Sequence, residues 1–214
     1  VLLILRLSAA IEMKNAKARR LLSPSSRPIV IKFSMLSAMD SLGGGFLTTA
    51  LLSYWFFKRF GVDEAFLGPL FFFVRLANGL SHLGAAWIAK RIGLVNTMVF
   101  THLPSSFLLM TVPFMPNLAT ATLFFLLREL LVEMDVPTRQ SYIVAVVREE
   151  ERTMAAGITN LTRSVAWALG PLIAAPLIGT VALSAPLFIG PGLKVAYDIL
   201  LFRAFRHIRP PEEA

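Results

Sequence analysis

The chain has 214 residues, of which 56% are hydrophobic and only 16% charged, with a formal net charge of +8. Soluble domains run at about 45–50% apolar and about 25% charged, so this balance excludes an ordinary soluble fold and points to a chain partly solvated by lipid. The absence of cysteine excludes a disulfide framework and thiolate chemistry.

Residues 1–8 open on Val-Leu-Leu-Ile-Leu-Arg-Leu, too short to span a bilayer and without the charged start of a signal peptide. This run is expected to be the end of a preceding transmembrane helix, which would make the sequence part of a longer protein. Residues 9–32 turn polar and basic, with Lys14, Lys17, Arg19, Arg20, Arg27 and Lys32 around two prolines, and read as a linker. Six apolar segments follow, at about 33–57, 66–89, 94–115, 118–147, 153–178 and 182–204, each near or above the roughly 20 residues that cross about 30 Å of hydrocarbon. Short connections rich in Gly, Pro, Asn or charge separate them. The expected fold is all-α, a polytopic six-transmembrane-helix bundle over residues 33–206 ending in a short tail at 207–214. Apolarity that continues over such lengths argues against barrel strands, which alternate with period two.

If the linker is cytoplasmic, thirteen Lys and Arg near the segment ends fall on its side, including Lys90, Arg91, Arg148, Arg152, Arg203, Arg206 and Arg209. Only Lys58 and Arg59 fall opposite. The positive-inside rule therefore puts linker and tail in the cytoplasm and accounts for most of the net charge without nucleic acid as a partner. Tyr54-Trp55 and Trp87, near segment ends, fit an interfacial aromatic belt. Gly43-Gly44-Gly45, Gly79, Gly84, Gly157, Gly170 and Gly179 would let helix backbones approach or serve as hinges.

Charge inside these segments is the chemical signal. A charged side chain at the centre of a membrane helix costs roughly 2.5–3.5 kcal/mol on insertion scales, so such residues usually face a protein interior or an aqueous cavity. The fourth segment carries Arg128, Glu129, Glu133, Asp135 and Arg139 together with Pro137 and Gln140. On a helical wheel Arg128, Asp135 and Arg139 share a face, while Glu129, Glu133 and Gln140 share another about 120° away. One face is expected to line a cavity and the other to meet a neighbouring helix, with Asp135 and Arg139 paired at i, i+4. Asp40, Arg75 and Arg163 fall near mid-depth, Lys194 and Asp198 lie inside the last segment, and Thr159, Asn160, Arg163 and Trp167 share one face of the fifth.

Pairs such as Asp135 with Arg139 or Asp40 with Arg163 could simply lock helices together. The number of charges favours a transport pathway. Glu133, with no cation one turn away in its own helix, is the leading candidate to carry a proton, followed by Glu129 and Asp40. Pro137 is expected to kink its helix, and Gly170-Pro171 to act similarly. His82 and His102 read as hydrogen-bonded helix residues. No metal-ligand spacing, phosphate-binding loop or Gly-x-Ser-Gly nucleophile setting appears, so no enzyme activity, metal or cofactor is expected.

The stretch Met134-Asp135-Val136-Pro137-Thr138-Arg139-Gln140, then Arg148-Glu149-Glu150-Glu151-Arg152, then Gly157-Ile158-Thr159-Asn160 running to Leu169-Gly170-Pro171, resembles helix ten, a cytoplasmic loop and helix eleven of drug-efflux-type bacterial members of the major facilitator superfamily. The loop Ala86 to Gly93 is similar to the weaker second copy of that family's signature, with Lys90 where the signature carries an Asp. The resemblance covers nearly the whole chain, as helices seven to twelve. It implies one half of an alternating-access carrier in the plasma membrane, working by proton-coupled efflux. Its partners would be the bilayer, a small-molecule substrate, protons and a missing N-terminal six-helix half. It directs Asp40, Arg75, Asn78, Glu129, Glu133, Arg139, Asn160 and Arg163 towards substrate, with Asp135, Pro137, Gly170 and Pro171 in hinge or structural roles. The competing expectation is a non-catalytic membrane scaffold, or a permease half served by a separate ATPase.

Overall fold

The computed structural model describes residues 22–208 and 210. The expected helix end at 1–8, most of the linker and the end of the tail lie outside the described residues. All regular structure among those residues is helical: α1 (Ser26–Gly45), α2 (Thr49–Phe60), α3 (Glu64–Ile92), α4 (Leu94–Thr111), α5 (Leu118–Val132), α6 (Asp135–Ala145), α7 (Arg152–Thr180) and α8 (Pro186–Phe205), with 3-10 turns at Val112–Phe114 and Glu149–Glu151.

The six apolar segments correspond to these helices, but not as six unbroken spans. Three stretches, Glu64–Ile92, Leu94–Phe114 and Glu149–Thr180, are long and apolar enough to cross a membrane. The last segment forms the unbroken α8 but carries Lys194, Asp198 and Arg203. The first and fourth are each divided in two. Between α1 and α2 the chain turns at Phe46 and Leu47, and Thr48 caps the new helix by accepting from the Leu51 N–H at 3.4 Å.

Between α5 and α6 the Met134 N–H donates to Leu131 O at 3.3 Å and the Val136 N–H to Glu133 O at 3.2 Å, tightening the chain into a turn. Pro137 therefore does not kink a continuous helix. The break lies before it, at Glu133 and Met134, and the proline occupies the first turn of α6, where its missing N–H removes no intrahelical bond.

Helix α1 is the hub of one side, packing against α7 and α8, while α4 packs against α5, α6 and α8, and α3 mainly against α5. Close approach explains part of the glycine pattern. A Cβ on Gly43 would stand 2.6 Å from the Gly190 carbonyl oxygen, and one on Gly45 would stand 2.7 Å from the Gly170 Cα, so α1 touches α8 and α7 backbone to backbone. Gly170 is thus a packing contact, and α7 runs unbroken through it and Pro171. Gly79, Gly157 and Gly179 face open space, so the packing reading does not extend to them.

Two apolar clusters fill the interior. One gathers Phe46, Trp55, Phe56, Leu109, Phe125 and Leu187; the other gathers Phe33, Met98, Tyr142, Tyr197, Leu201 and Phe205. Each of α1, α4 and α8 contributes to both, at opposite ends, and carries its buried ionisable residues between or beside the two groups: Asp40, His102, and Lys194 with Asp198. The fold therefore places a charged layer between two apolar ones. Trp55 belongs to the core, with its indole N–H donating to Ser184 Oγ at 2.8 Å, and is not part of an interfacial belt. Tyr54 and Trp87 are exposed, with Lys58 and Arg91 over their rings. Phe72, Phe73 and Leu83 on α3, and Leu161, Leu172 and Ile173 on α7, are also exposed, a surface suited to lipid.

Candidate functional site

Asp40 is the centre of the charged layer. Helix α1 holds it almost fully buried, where an unpaired carboxylate would be strongly disfavoured. Lys194 Nζ donates to its Oδ1 at 2.6 Å and Arg139 Nη1 to its Oδ2 at 3.3 Å. The same Arg139 nitrogen donates to Asp135, its i−4 neighbour on α6. The intrahelical pair expected from spacing is therefore present, but it is joined to α1 and α8. Arg163, which the sequence offered as a partner for Asp40, makes no ion pair among the described residues.

His102, from α4, completes the cluster. Its Nδ1 lies 3.0 Å and 3.1 Å from the two oxygens of Asp198, while its Nε2 faces Lys194 Nζ at 3.4 Å and Asp40 Oδ1 at 3.6 Å. With Asp198 ionised the carboxylate only accepts, and Nδ1 then carries a proton, which assigns the tautomer from its partner. The opposite nitrogen then has two possible partners. Neutral, it accepts from the Lys194 ammonium; protonated, it turns a donor towards Asp40. A ring with one anchored nitrogen and a choice at the other is suited to taking up and releasing a proton.

The layer opens onto a cavity of about 270 Å³. Arg128 and Glu129 pair with each other at its wall, and the Asn78 amide, assigned with its nitrogen towards Glu129 because that side offers only acceptors, places that nitrogen 3.1 Å from the backbone oxygen and 2.9 Å from Oε2. Glu133 reaches His82 at 3.5 Å, both side chains part-exposed, so its basic neighbour comes from α3 and not from its own helix. Arg128, Glu129, Glu133, Asp135 and Arg139 all line this one cavity, although the wheel had separated them into two faces. The break at Glu133 and Met134 changes the helical phase, and a wheel assumes an unbroken helix. Gln140 is exposed and outside the cavity.

Among the remaining expected pathway residues, Asp40, Arg75, Asn78 and Arg163 line the cavity; Asn160 does not and is exposed. On α7, Thr159 is instead buried against α1, sharing a 3.0 Å hydrogen bond with Ser34. Sequence reasoning gave His102, Lys194 and Asp198 no site role. The available signal was one ionisable side chain at mid-depth in α4 and an i, i+4 Lys–Asp pair in α8, both at the depth of Asp40.

Asp40, His102 and Asp135 offer donor atoms within 4.8 Å of one another, the one grouping of metal-binding type among the described residues. Both carboxylates are already hydrogen-bonded to Arg139 or Lys194, so a metal ion would have to displace cations that the protein supplies itself.

No family model matches the chain. It is 26% identical over 181 residues to the protein named "Uncharacterized membrane protein YJR124C" from Saccharomyces cerevisiae, an alignment covering 84% of this chain and 40% of that protein. The chain thus spans well under half the length of this relative. With several long apolar helices and a membrane-protein relative, the class follows. The chain is an all-α, multi-pass membrane protein. In such a protein the buried charges lie in helices surrounded by lipid, and their mutual neutralisation allows them to remain there.

Proposed function

We propose that this membrane protein is one half of a secondary active carrier that moves a small molecule by alternating access, coupled to protons, with six crossings and both linker and tail in the cytoplasm of a plasma-membrane protein. The observation that carries the proposal is the charged layer: carboxylates, cations and a histidine buried at matching depth on α1, α4, α6 and α8, beside a cavity. The breaks flanking it on the first and fourth segments fit the same function, since interrupted membrane helices mark binding sites in transporters. The resemblance to helices seven to twelve of the major facilitator superfamily points the same way. So does the short coverage of the yeast relative, which leaves room for a second bundle.

The proton carrier in this proposal is His102 and not Glu133. Glu133 is part-exposed beside a half-exposed His82, whereas His102 is buried between Asp198 and the Asp40–Lys194 pair and can exchange one for the other. Proteoliposomes of the full-length protein, with a trapped pH dye and an imposed pH gradient, test this against a panel of candidate solutes. His102→Gln should lose solute-dependent proton movement while keeping solute exchange at equal pH, and Glu133→Gln should keep both. Proton movement at the wild-type rate in His102→Gln would sink the assignment. A folded wild-type protein that moves neither solute nor proton would favour the scaffold reading.

A further inference from the structure

We propose that the cavity binds a small oxyanion, a carboxylate or a phosphate ester, through Arg163 and Arg75. This names the substrate class of the carrier and rests on that reading. Each acidic side chain lining the cavity already has a basic neighbour of its own: Asp40 has Lys194, Asp135 has Arg139 and Glu129 has Arg128, while Glu133 has the His82 imidazole at 3.5 Å. Arg75 and Arg163 line the same cavity and make no ion pair among the described residues. The paired acids leave a cationic substrate no uncommitted carboxylate, whereas an anion meets two uncommitted guanidinium groups.

Unsatisfied donors agree with the charge count. Arg163 Nε and Arg128 Nε are buried without a hydrogen-bond acceptor, and Arg128 is only 7% exposed. A buried donor left unpaired is costly, and two such groups on residues lining one cavity call for an acceptor inside it. Guanidinium groups present planar forks that match carboxylate and phosphate oxygens, which makes arginine the suited residue for this ligand.

The test is ligand-induced thermal stabilisation of the full-length protein in nanodiscs of neutral phosphatidylcholine, at constant ionic strength set with chloride. The probes are inorganic phosphate, succinate, glycerol phosphate and the cation tetraphenylphosphonium. At least one oxyanion should raise the melting temperature saturably and the cation should not. Arg163→Gln and Arg75→Gln should each weaken that oxyanion about tenfold or more, Arg163→Lys less, and Arg59→Gln, which removes an equal charge outside the cavity, not at all. A parallel series in nanodiscs containing phosphatidylglycerol separates a lipid headgroup from a soluble anion as the source, and saturable stabilisation by either supports the site. Stabilisation by the cation alone, by none of the probes in either lipid, or equally in wild type and both glutamine variants overturns it. Binding without flux would retain the anion site and remove the carrier.

Discussion

Asp40 has two cations within hydrogen-bond distance, so the consequences of altering it run through what is left behind. Asp40→Asn would leave Lys194 without its carboxylate partner and Arg139 with Asp135 only, in a buried site, and should destabilise the protein by about 3–5 kcal/mol. Removing the lysine as well should recover a large part of that loss, because the uncompensated charge is what costs. Denaturant unfolding in detergent of Asp40→Asn, Lys194→Met and the double variant measures this; strictly additive losses would contradict it. The Asp135–Arg139 contact could be read from spacing alone because both ends sit on one helix. The Asp40–Lys194 and His102–Asp198 contacts span 154 and 96 residues of sequence, and depth counting brings such residues to the same level without telling which of them meet.

Among the elements, α1 and α7 show what local pattern can and cannot give. Small residues mark where helices could touch, but only the packed arrangement separates the Gly45–Gly170 contact from glycines that meet nothing. Gly170→Leu should force the two backbones apart and cost at least about 1–3 kcal/mol, whereas Gly157→Ala, in open space on the same helix, should be neutral or stabilising by about 0.5–1 kcal/mol. Thermal unfolding of the two variants decides this, and equal effects would contradict it. Helical structure over the apolar segments was legible because continuous apolarity over about 20 residues is a strong signal, although only three stretches among the described residues are long and apolar enough to cross a membrane. The two breaks were not: the chain stays apolar at Phe46 and Leu47, and around Glu133 the nearby proline drew attention to the wrong residue. The assignment of Glu133 and Gln140 to one separate face failed for the same reason.

Taken whole, the molecule reads as two hydrophobic halves joined through a polar middle, and it is this layering that the proposed carrier would exploit. Charge pairs can exchange partners at short range while the apolar clusters on either side keep their packing. The proposed anion site adjoins the same layer, in the cavity that Arg75 of α3, Arg128 of α5 and Arg163 of α7 all line. The layering also bears on biogenesis. Stretches such as Glu64–Ile92 and Glu149–Thr180 are long and apolar enough to cross a membrane, but α8 brings Lys194 and Asp198, each costing roughly 2.5–3.5 kcal/mol at mid-membrane when unpaired. Its partners, Asp40 and His102, are made first. Helix α8 should therefore enter the bilayer poorly when fused to an unrelated leader and well behind α1 to α7, with Asp40→Asn reducing the second yield; a glycosylation-site insertion assay reads both, and efficient entry of α8 alone would refute it. A chain built this way delays commitment of its last helix until the groups that neutralise it are already in the membrane.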